Sequence, residues 1–288
     1  MSLLRRLLIA LLLGSLALMA TPAAAATARS QDTPKVIPPR AHPYGRTYGQ
    51  WNAQWWRWLY QTPYSDSPVM TDPPGTPDAP AQVNCAGGQH GKVWFLGGTF
   101  SPTSPTPPPD SPPQPARSDV YRTCRIPAGT ALFFPLLNTE FDNLGCLQNT
   151  TLTAKQLRTA ARTGIDDVVE GSLSATIDGK RIRGLNRPNT RYRAPSPFFS
   201  YRLKRDNVTQ LVCKQPRPGG TRPPAVNGHG GAVADGIYVM LAPLRPGTHT
   251  IHFGGELIIP ATPKPPPPWG PTDFVQNVNY TITVTPRC

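Results

Sequence analysis

The sequence predicts a mainly β protein, an antiparallel β-sandwich of the immunoglobulin-like or jelly-roll-like kind with two short accessory helices. The chain has 288 residues, a length that a single β-rich domain can approach. Its 38 prolines make up about 13% of the residues, against a usual share of roughly 5%. Because proline breaks helices, a mostly helical protein is excluded. Short alternating segments between proline and glycine turns favour a sandwich.

Two segments carry helix signals. A capping-box spacing at residues 47–50 precedes tryptophans that recur at helical intervals, and a second capping box at residues 153–156 opens a helix that Gly171 ends. Four of the six tryptophans lie in residues 51–58. Trp56 lies off the main stripe, so it is the ring we expect to be exposed if this helix stacks on sugars. The alternative is a helix that packs all its tryptophans against the β-core.

The remaining periodic segments read as strands. Residues 92–96 and 130–134 are short apolar runs, typical of strands buried on both faces. Asp178-Gly179 between two short segments is a strong hairpin signal. The last strand alternates, and its inward residues are expected to be Val278, Tyr280, Ile282 and Val284.

The N-terminal residues have the order of a cleavable secretory signal over residues 1–26. A cationic start is followed by the apolar run 7–20 and by the small residues 23–26, and the run is shorter than the roughly 20 residues that a membrane span needs. We therefore expect a secreted or periplasmic protein without a transmembrane anchor.

The mature chain is expected to have one folded domain. Residues 27–46 read as a flexible, proline-dotted arm, because they are polar and rich in proline. Residues 47–288 contain no internal repeat and no long segment of different amino-acid composition, which predicts a single β-sandwich domain. Eight prolines in residues 101–116 predict a proline-rich loop within it.

Export makes the five cysteines candidates for disulfides. Their spacing is too wide for a zinc knuckle and no C-x-x-C occurs. Cys85 and Cys124 bracket a strand-like segment and a long loop, so we expect them to pair. A second bond among Cys146, Cys213 and Cys288 stays open.

Several segments resemble known proteins. CAGGQHGKVWFL (residues 85–96), CRIPAGTALFFP (residues 124–135) and DGIYVMLAPL (residues 235–244) resemble a group of secreted bacterial proteins without an established activity. PGTHTIHFGGE (residues 246–256) resembles the closing strands of immunoglobulin-like bacterial surface modules. The first resemblance covers most of residues 48–285. A resemblance at the level of the fold implies no catalytic residue.

The charge distribution predicts an anionic partner. The formal net charge is +13, and residues 180–205 contain seven arginines, two lysines and no acidic residue. Guanidinium groups bind carboxylate, sulfate and phosphate in a bidentate way. Outside the cytoplasm we expect an acidic polysaccharide or another envelope polyanion rather than nucleic acid, and the alternative is a solvated basic face. The expected ligand-binding residues are Arg187, Arg191, Tyr192, Arg193 and Trp56.

A hydrolase is the second hypothesis. Glu140, Asp142 and Glu256 follow predicted strands, and two convergent carboxylates can hydrolyse a glycosidic bond when one protonates the leaving oxygen and the other attacks or activates water. We expect no metal and no other cofactor, although His90 and His229 with a strand histidine and either Asp142 or Glu140 would form an alternative metal site. A structural, disulfide-tied surface protein without a small ligand is the third hypothesis.

Overall fold

The structure is a computed structural model in which the described residues form two β-sheets and two α-helices. The predicted signal peptide lies outside them, as does the proline-rich loop before residue 116. No helix in the described part of the chain is both long and apolar enough to cross a bilayer. The described residues are 34–67, 69, 73–99, 116–143, 151–187, 189–203, 206–207, 229–258 and 273–286.

The strands divide into a six-stranded and a four-stranded sheet. The six-stranded sheet has the order β1 (Ala81–Gln82), β3 (Ala116–Pro127), β10 (Asp273–Thr285), β9 (Gly247–Ile258), β5 (Ser174–Ile177) and β6 (Lys180–Arg181). The four-stranded sheet has the order β2 (Val93–Phe95), β4 (Ala131–Asp142), β8 (His229–Leu241) and β7 (Phe199–Arg202).

Both sheets are mixed, which corrects the expectation of a purely antiparallel sandwich. β3 and β10 run parallel from the pair Ala116–Phe274 to the pair Pro127–Thr285, and β1–β3 and β2–β4 are also parallel. The reason is connectivity, because a tight hairpin forces antiparallel pairing only on strands that follow each other closely. β3 and β10 lie far apart in sequence, so no turn sets their relative direction.

The two sheets share an apolar interior. Phe134 of β4 stacks on Phe253 of β9 with ring centroids 4.5 Å apart. The four predicted inward residues of the last strand are buried, which confirms the alternation. Burial of each such side chain contributes about 1.5–3 kcal/mol to folding.

Helix α1 (Tyr48–Gln61) covers the opposite face of the four-stranded sheet. Both halves of its predicted capping box are present, since Thr47 Oγ1 accepts from the Gln50 amide and Gln50 Oε1 accepts from the Thr47 amide. The Tyr48 ring meets Phe133 of β4 edge to face at 5.4 Å. Asn52 is fully buried, where its amide donates to the carbonyl of Ala194 at 2.7 Å.

The expectation that Trp56 is exposed is wrong. Its side chain is buried at 5% relative exposure. It meets Trp55 edge to face at 5.1 Å and lies against Tyr60 at 5.9 Å. Asn52 and Tyr60, one helical turn before and after Trp56, both bond to the four-stranded sheet. Trp56 therefore lies on the sheet-facing side of α1 and is enclosed there.

Helix α2 (Ala154–Asp166) packs on the C-terminal end of β4 and the N-terminal end of β8. It opens with the predicted capping box at Thr153. Leu157 and Ala161 are fully buried and form a small cluster with Val233 of β8. Thr139 of β4 donates its hydroxyl to the Ala161 carbonyl at 2.8 Å. Thr139 contacts α2 and the adjacent Glu140 contacts α1, so the two helices cover opposite faces of this end of the sheet.

The described part of the expected flexible arm is attached to the domain. Val36 forms a β-bridge with Leu241, and the amide of Ile37 donates to the carbonyl of Met240 at 2.9 Å. The Tyr48 hydroxyl donates to the Ile37 carbonyl at 2.6 Å. Residues 34–37 thus extend the edge of β8 and bind the start of α1.

We expect Gly49→Ala to destabilise the protein although alanine favours helices by about 1 kcal/mol over glycine. A Cβ at Gly49 would lie 2.2 Å from the Pro195 carbonyl oxygen, so α1 would have to move away from the sheet. Urea unfolding should show a net loss of about 1–3 kcal/mol. Gln61→Ala, on an exposed position of the same helix, should change stability by less than about 0.5 kcal/mol. A more stable Gly49→Ala variant would contradict this packing.

Candidate functional site

A cleft of about 850 Å³ opens beside the exposed face of α1. Its lining combines three chemical types of side chain. Trp51, Trp58 and Phe95 are aromatic, Gln54 and Gln61 carry amides, and Arg46, Arg57, Arg202 and His90 supply basic groups. Asp66 is the only carboxylate among the described residues that line it. The cleft is therefore basic and aromatic at once.

Three elements bring the arginines together. Arg46 precedes α1, Arg57 lies on α1 and Arg202 lies on β7. Arg57 Nε donates to the Ser200 carbonyl at 2.9 Å, and its guanidinium lies 5.4 Å from the centre of the Phe199 ring. These contacts fix the orientation of the Arg57 side chain at the side of the cleft.

The described residues provide no ion-pair partner for the arginines of the cleft. In the part of the chain that the structure describes, none of Arg46, Arg57 and Arg202 forms an ion pair. Burial lowers the pKa of Arg57, and the nearby charge of Arg46 lowers it further. An anion placed between these groups would relieve both effects, because it compensates the desolvation and screens the repulsion.

The aromatic floor of the cleft consists of Trp51, Trp58 and Phe95. Hydrogen bonds from the two indole groups hold it in place. Trp51 Nε1 donates to the Pro43 carbonyl at 2.9 Å, and the Arg46 guanidinium lies 5.6 Å from the Trp51 ring centre. Trp58 Nε1 donates to the Gly87 carbonyl at 2.9 Å. Trp58 is buried, whereas Trp51 is partly exposed. Trp51 is thus the indole that a ligand in the cleft can contact.

The loop between β1 and β2, which faces the end of α1, is held in place by several contacts. The predicted disulfide between Cys85 and Cys124 is confirmed and joins the loop to β3. The Gln89 side chain accepts from the Phe95 amide at 2.9 Å and donates to the Phe95 carbonyl at 2.8 Å. Gly88 has a φ of +64°, and a Cβ there would lie 2.1 Å from Thr62 Oγ1. Only glycine allows the loop to approach the end of α1 this closely.

A second polar group lies on the buried side of α1. Tyr60 of α1 donates its hydroxyl to Glu140 Oε2 at 2.6 Å, and its oxygen lies 3.4 Å from Asp142 Oδ2. Tyr201 of β7 donates to the same Asp142 oxygen. The Tyr60 and Tyr201 rings stack at 4.1 Å. We call these four residues the carboxyl–tyrosine cluster.

Glu140 and Tyr60 of this cluster bind their protons more strongly than usual. Burial raises the pKa of Glu140 well above its usual value, and the neighbouring charge of Asp142 raises it further. Glu140 Oε1 is buried, and no described residue donates a hydrogen bond to it. The pKa of Tyr60 is also raised by burial and by both carboxyl groups, so its hydroxyl remains a donor.

Of the three carboxylates of the hydrolase hypothesis, Glu140 and Asp142 lie together but buried, and Glu256 lies apart from them. Glu140 and Asp142 lie on β4 and face α1, inside the protein, and neither lines the cleft. Glu256 lies on β9 in the other sheet, where the burial of Phe253 and Leu257 places it on the outer face. A pair that must act on one sugar bond has to lie within about 10 Å across open space. The expected catalytic set is therefore corrected.

The expected ligand residues of the basic stretch have different roles. Arg193 binds Asp235 at 2.7 Å and Asp166 at 2.5 Å, so it joins α2 to β8 rather than facing solvent. The Tyr192 ring is buried at 3% relative exposure and is covered by Arg191, so it offers no open face for stacking on a sugar. Arg187 is exposed and lies 3.8 Å from Glu170. Arg191 stays exposed above the Tyr192 ring.

Sequence reasoning missed most of the cleft. Arg46 and Arg57 lie far from the basic stretch, and only Arg202 belongs to both. The available signal was the pair of arginines on either side of Trp51, since an arginine beside an exposed indole is a common ligand contact. The approach of His90 and Arg202 to these residues depends on the tertiary structure.

The histidines whose side chains the structure describes form no common site. His249 Nδ1 lies 2.8 Å from Asp178 Oδ2, and His252 Nδ1 lies 2.9 Å from Asn279 Oδ1. His90 lines the cleft, and the side chain of His229 lies outside the described part. No three described His, Cys, Asp or Glu side chains are grouped to hold a metal ion.

Removal of the disulfide should destabilise the domain and loosen the cleft. The bond closes a sequence separation of 39 residues, which corresponds to about 4 kcal/mol of loop entropy. The double variant Cys85→Ala with Cys124→Ala should lose roughly 2–4 kcal/mol in urea unfolding under oxidising conditions. A reducing agent should lower the stability of the natural protein by about this amount more than it lowers the stability of the variant. Equal stability of the two proteins would contradict this role.

The Glu140→Gln variant should be more stable than the natural protein at pH 7–8. Because the folded-state pKa of Glu140 lies above its unfolded value, the folded state binds more protons, and stability falls as the pH rises from about 4.5 through the folded-state pKa. Glutamine removes the ionisation and can still accept from Tyr60. Thermal unfolding should show a rise of a few degrees at pH 8 that disappears near pH 4.

The matched control for this prediction is Glu170→Gln. Glu170 is exposed and pairs only distantly with Arg187, and such pairs contribute about 0–1 kcal/mol. Its pH profile should follow that of the natural protein. A Glu140→Gln variant that keeps the natural pH profile would show that Glu140 does not titrate in the expected direction.

Comparison with known proteins adds no function. No family model matches the chain, and neither the curated proteins nor the solved structures include a match. The resemblance to secreted bacterial proteins stays a prediction. The geometry of the cleft is therefore the basis on which a function can be assigned.

Proposed function

We propose that this chain is an exported binding protein whose cleft holds an acidic polysaccharide, on a sandwich-like scaffold of two sheets. The observation that carries the proposal is the group of three guanidiniums, Arg46, Arg57 and Arg202, beside an aromatic floor and without an ion pair in the described residues. The proposal keeps the expected class of ligand and transfers the binding site from residues 187–193 to this cleft.

The lining matches both parts of an acidic sugar. Guanidinium groups bind carboxylate and sulfate through paired, charge-assisted hydrogen bonds. The partly exposed Trp51 ring offers a face to the apolar side of a sugar ring, and Gln54 and Gln61 offer amides to its hydroxyl groups. The volume of about 850 Å³ lies in the upper part of the roughly 300–1,000 Å³ that ligand pockets have.

Binding fits the cleft better than hydrolysis does. Hydrolysis by the usual mechanism needs two carboxyl groups across the scissile bond. Asp66 is the only acid that lines the cleft among the described residues. The surplus of cations suits a polymer that carries repeated negative charges.

Export is supported by two features. Residues 1–26 have the pattern of a secretory signal, and the Cys85–Cys124 disulfide is of the kind that persists in oxidising compartments. Acidic polysaccharides of the envelope or the surroundings would be available to the protein there. We propose the periplasm or the exterior as its location.

The test is calorimetric titration of the oxidised protein with polygalacturonate oligomers, heparin oligosaccharides and neutral dextran. We expect binding to one or both acidic probes and none to dextran. Affinity should fall when the salt concentration rises from about 50 to 200 mM, because the added ions screen the charges. Binding to dextran with the same affinity, or no dependence on salt, would contradict the proposal.

The double variant Arg46→Ala with Arg202→Ala should lose at least about tenfold in affinity for the acidic probe, since each charged hydrogen bond contributes about 1.5–3 kcal/mol. The matched control is Arg158→Ala with Arg162→Ala, which removes the same charge from exposed positions of α2. An equal loss in both double variants would show that net charge rather than the cleft determines binding.

A further inference from the structure

A second, smaller pocket lies beside the β5–β6 hairpin. Its volume is about 220 Å³, and it shares no lining residue with the cleft. Val36, Ile177, Ile182 and Tyr192 contribute apolar surface. Its basic lining residues are Lys180, Arg181, Arg183 and Arg191. No acidic side chain is among the described residues that line it. The pocket is thus an apolar cavity with a cationic rim.

The β5–β6 hairpin forms one wall of this pocket, and hydrogen bonds fix its position. Asp178 and Gly179 have φ values of 49° and 72°, as the predicted tight turn requires. The Asp178 carboxylate lies 2.8 Å from His249 Nδ1 and accepts from the Thr250 amide at 2.9 Å. The Ile182 amide donates to the Ala175 carbonyl at 2.8 Å. The hairpin that carries the basic residues is therefore anchored to β9 at its turn.

Arg191 is positioned from the opposite side. Its guanidinium lies 5.1 Å from the centre of the Tyr192 ring, and Nη2 lies 3.4 Å from the Tyr192 hydroxyl. Thr190 donates its hydroxyl to the Gly184 carbonyl and so closes the loop that links the two sides. In the described residues, Arg181, Arg183 and Arg191 form no ion pair. Apart from the Arg191 Nη2 group at Tyr192, their guanidinium donors can bind a ligand.

We infer that this pocket is a binding site for a phosphate monoester that carries a compact apolar group. The apolar lining would receive the organic group, and the guanidiniums would bind the dianionic phosphate. The volume is below the roughly 300 Å³ at which ordinary ligand pockets begin, so one such group fills it and a polymer chain does not enter. The site is independent of the proposed polysaccharide cleft.

The experiment titrates phenyl phosphate into the oxidised, full-length mature protein and follows binding by calorimetry. We expect a dissociation constant below about 1 mM, which corresponds to roughly 4 kcal/mol. Phenol and inorganic phosphate should each bind at least about tenfold more weakly, because each lacks half of the recognised chemistry. Equal binding of inorganic phosphate, or no phenyl phosphate binding at about 10 mM, would overturn the inference.

Variants locate the site. Arg181→Ala with Arg191→Ala should weaken phenyl phosphate binding at least about tenfold, and Arg183→Gln should weaken it to a smaller extent. Arg187→Ala is the matched control, since Arg187 is an exposed arginine of the same segment outside the pocket. Thermal unfolding of each variant separates a loss of binding from a loss of the fold. An equal loss in Arg187→Ala would overturn the inference.

The cleft variant distinguishes this inference from the proposed function. Arg46→Ala with Arg202→Ala should bind phenyl phosphate as the natural protein does, while its polysaccharide affinity falls. Loss of phenyl phosphate binding in that variant would place the phosphate in the cleft and overturn the second site. Failure of the polysaccharide titration would leave the phenyl phosphate result unaffected.

Discussion

Aromatic contacts and buried hydrogen bonds hold helix α1 against the outer face of the four-stranded sheet. The cleft beside α1 depends on this position. Tyr238 donates its hydroxyl to Asn52 Oδ1 at 2.8 Å, and Asn52 in turn donates to the Ala194 carbonyl. Tyr48 donates to the Ile37 carbonyl and accepts from the Met240 amide. A shift of α1 would leave several of these buried groups unsatisfied, at about 1–3 kcal/mol each.

The same helix separates two electrostatic environments. Its buried side presents Tyr60 to the carboxyl groups of Glu140 and Asp142, and burial raises the pKa of Glu140. Its open side presents Arg57 and the neighbouring Trp51 to the cleft. The acidic groups of this region are therefore turned inward and the cations outward. This division leaves the cleft positively charged although carboxyl groups lie close to it in the fold.

Positive charge alone does not identify a binding residue in this protein. Arg193 uses its charge to join α2 and β8 through Asp166 and Asp235. The fully buried Arg122 donates to the carbonyls of Pro73 and Gly98 and supports the segments around them. The arginines of the cleft and of the small pocket differ because the described residues offer them no carboxylate partner. Availability of the guanidinium, rather than its presence, distinguishes the two groups.

The sequence by itself determined the features that depend on neighbours along the chain. Both capping boxes, the tight turn at Asp178-Gly179 and the alternation of the last strand follow from local spacing, and the structure contains all of them. The Cys85–Cys124 pair also followed, because the two cysteines bracket one strand and one loop. For the caps, the turn and the alternating strand, the partners are fixed by short-range geometry, whereas the disulfide joins residues 39 positions apart.

Only the tertiary structure decided the rest. Several features depend on residues or elements that are far apart in sequence. They are the parallel pairing of β3 with β10, the burial of Trp56 and the ion pairs of Arg193. The cleft likewise needs Arg57 of α1 and Arg202 of β7 to meet. Periodicity tells which face of an element is apolar, but it does not tell which other element covers that face. The charges that stay uncompensated are therefore known only once the sheets and helices have packed.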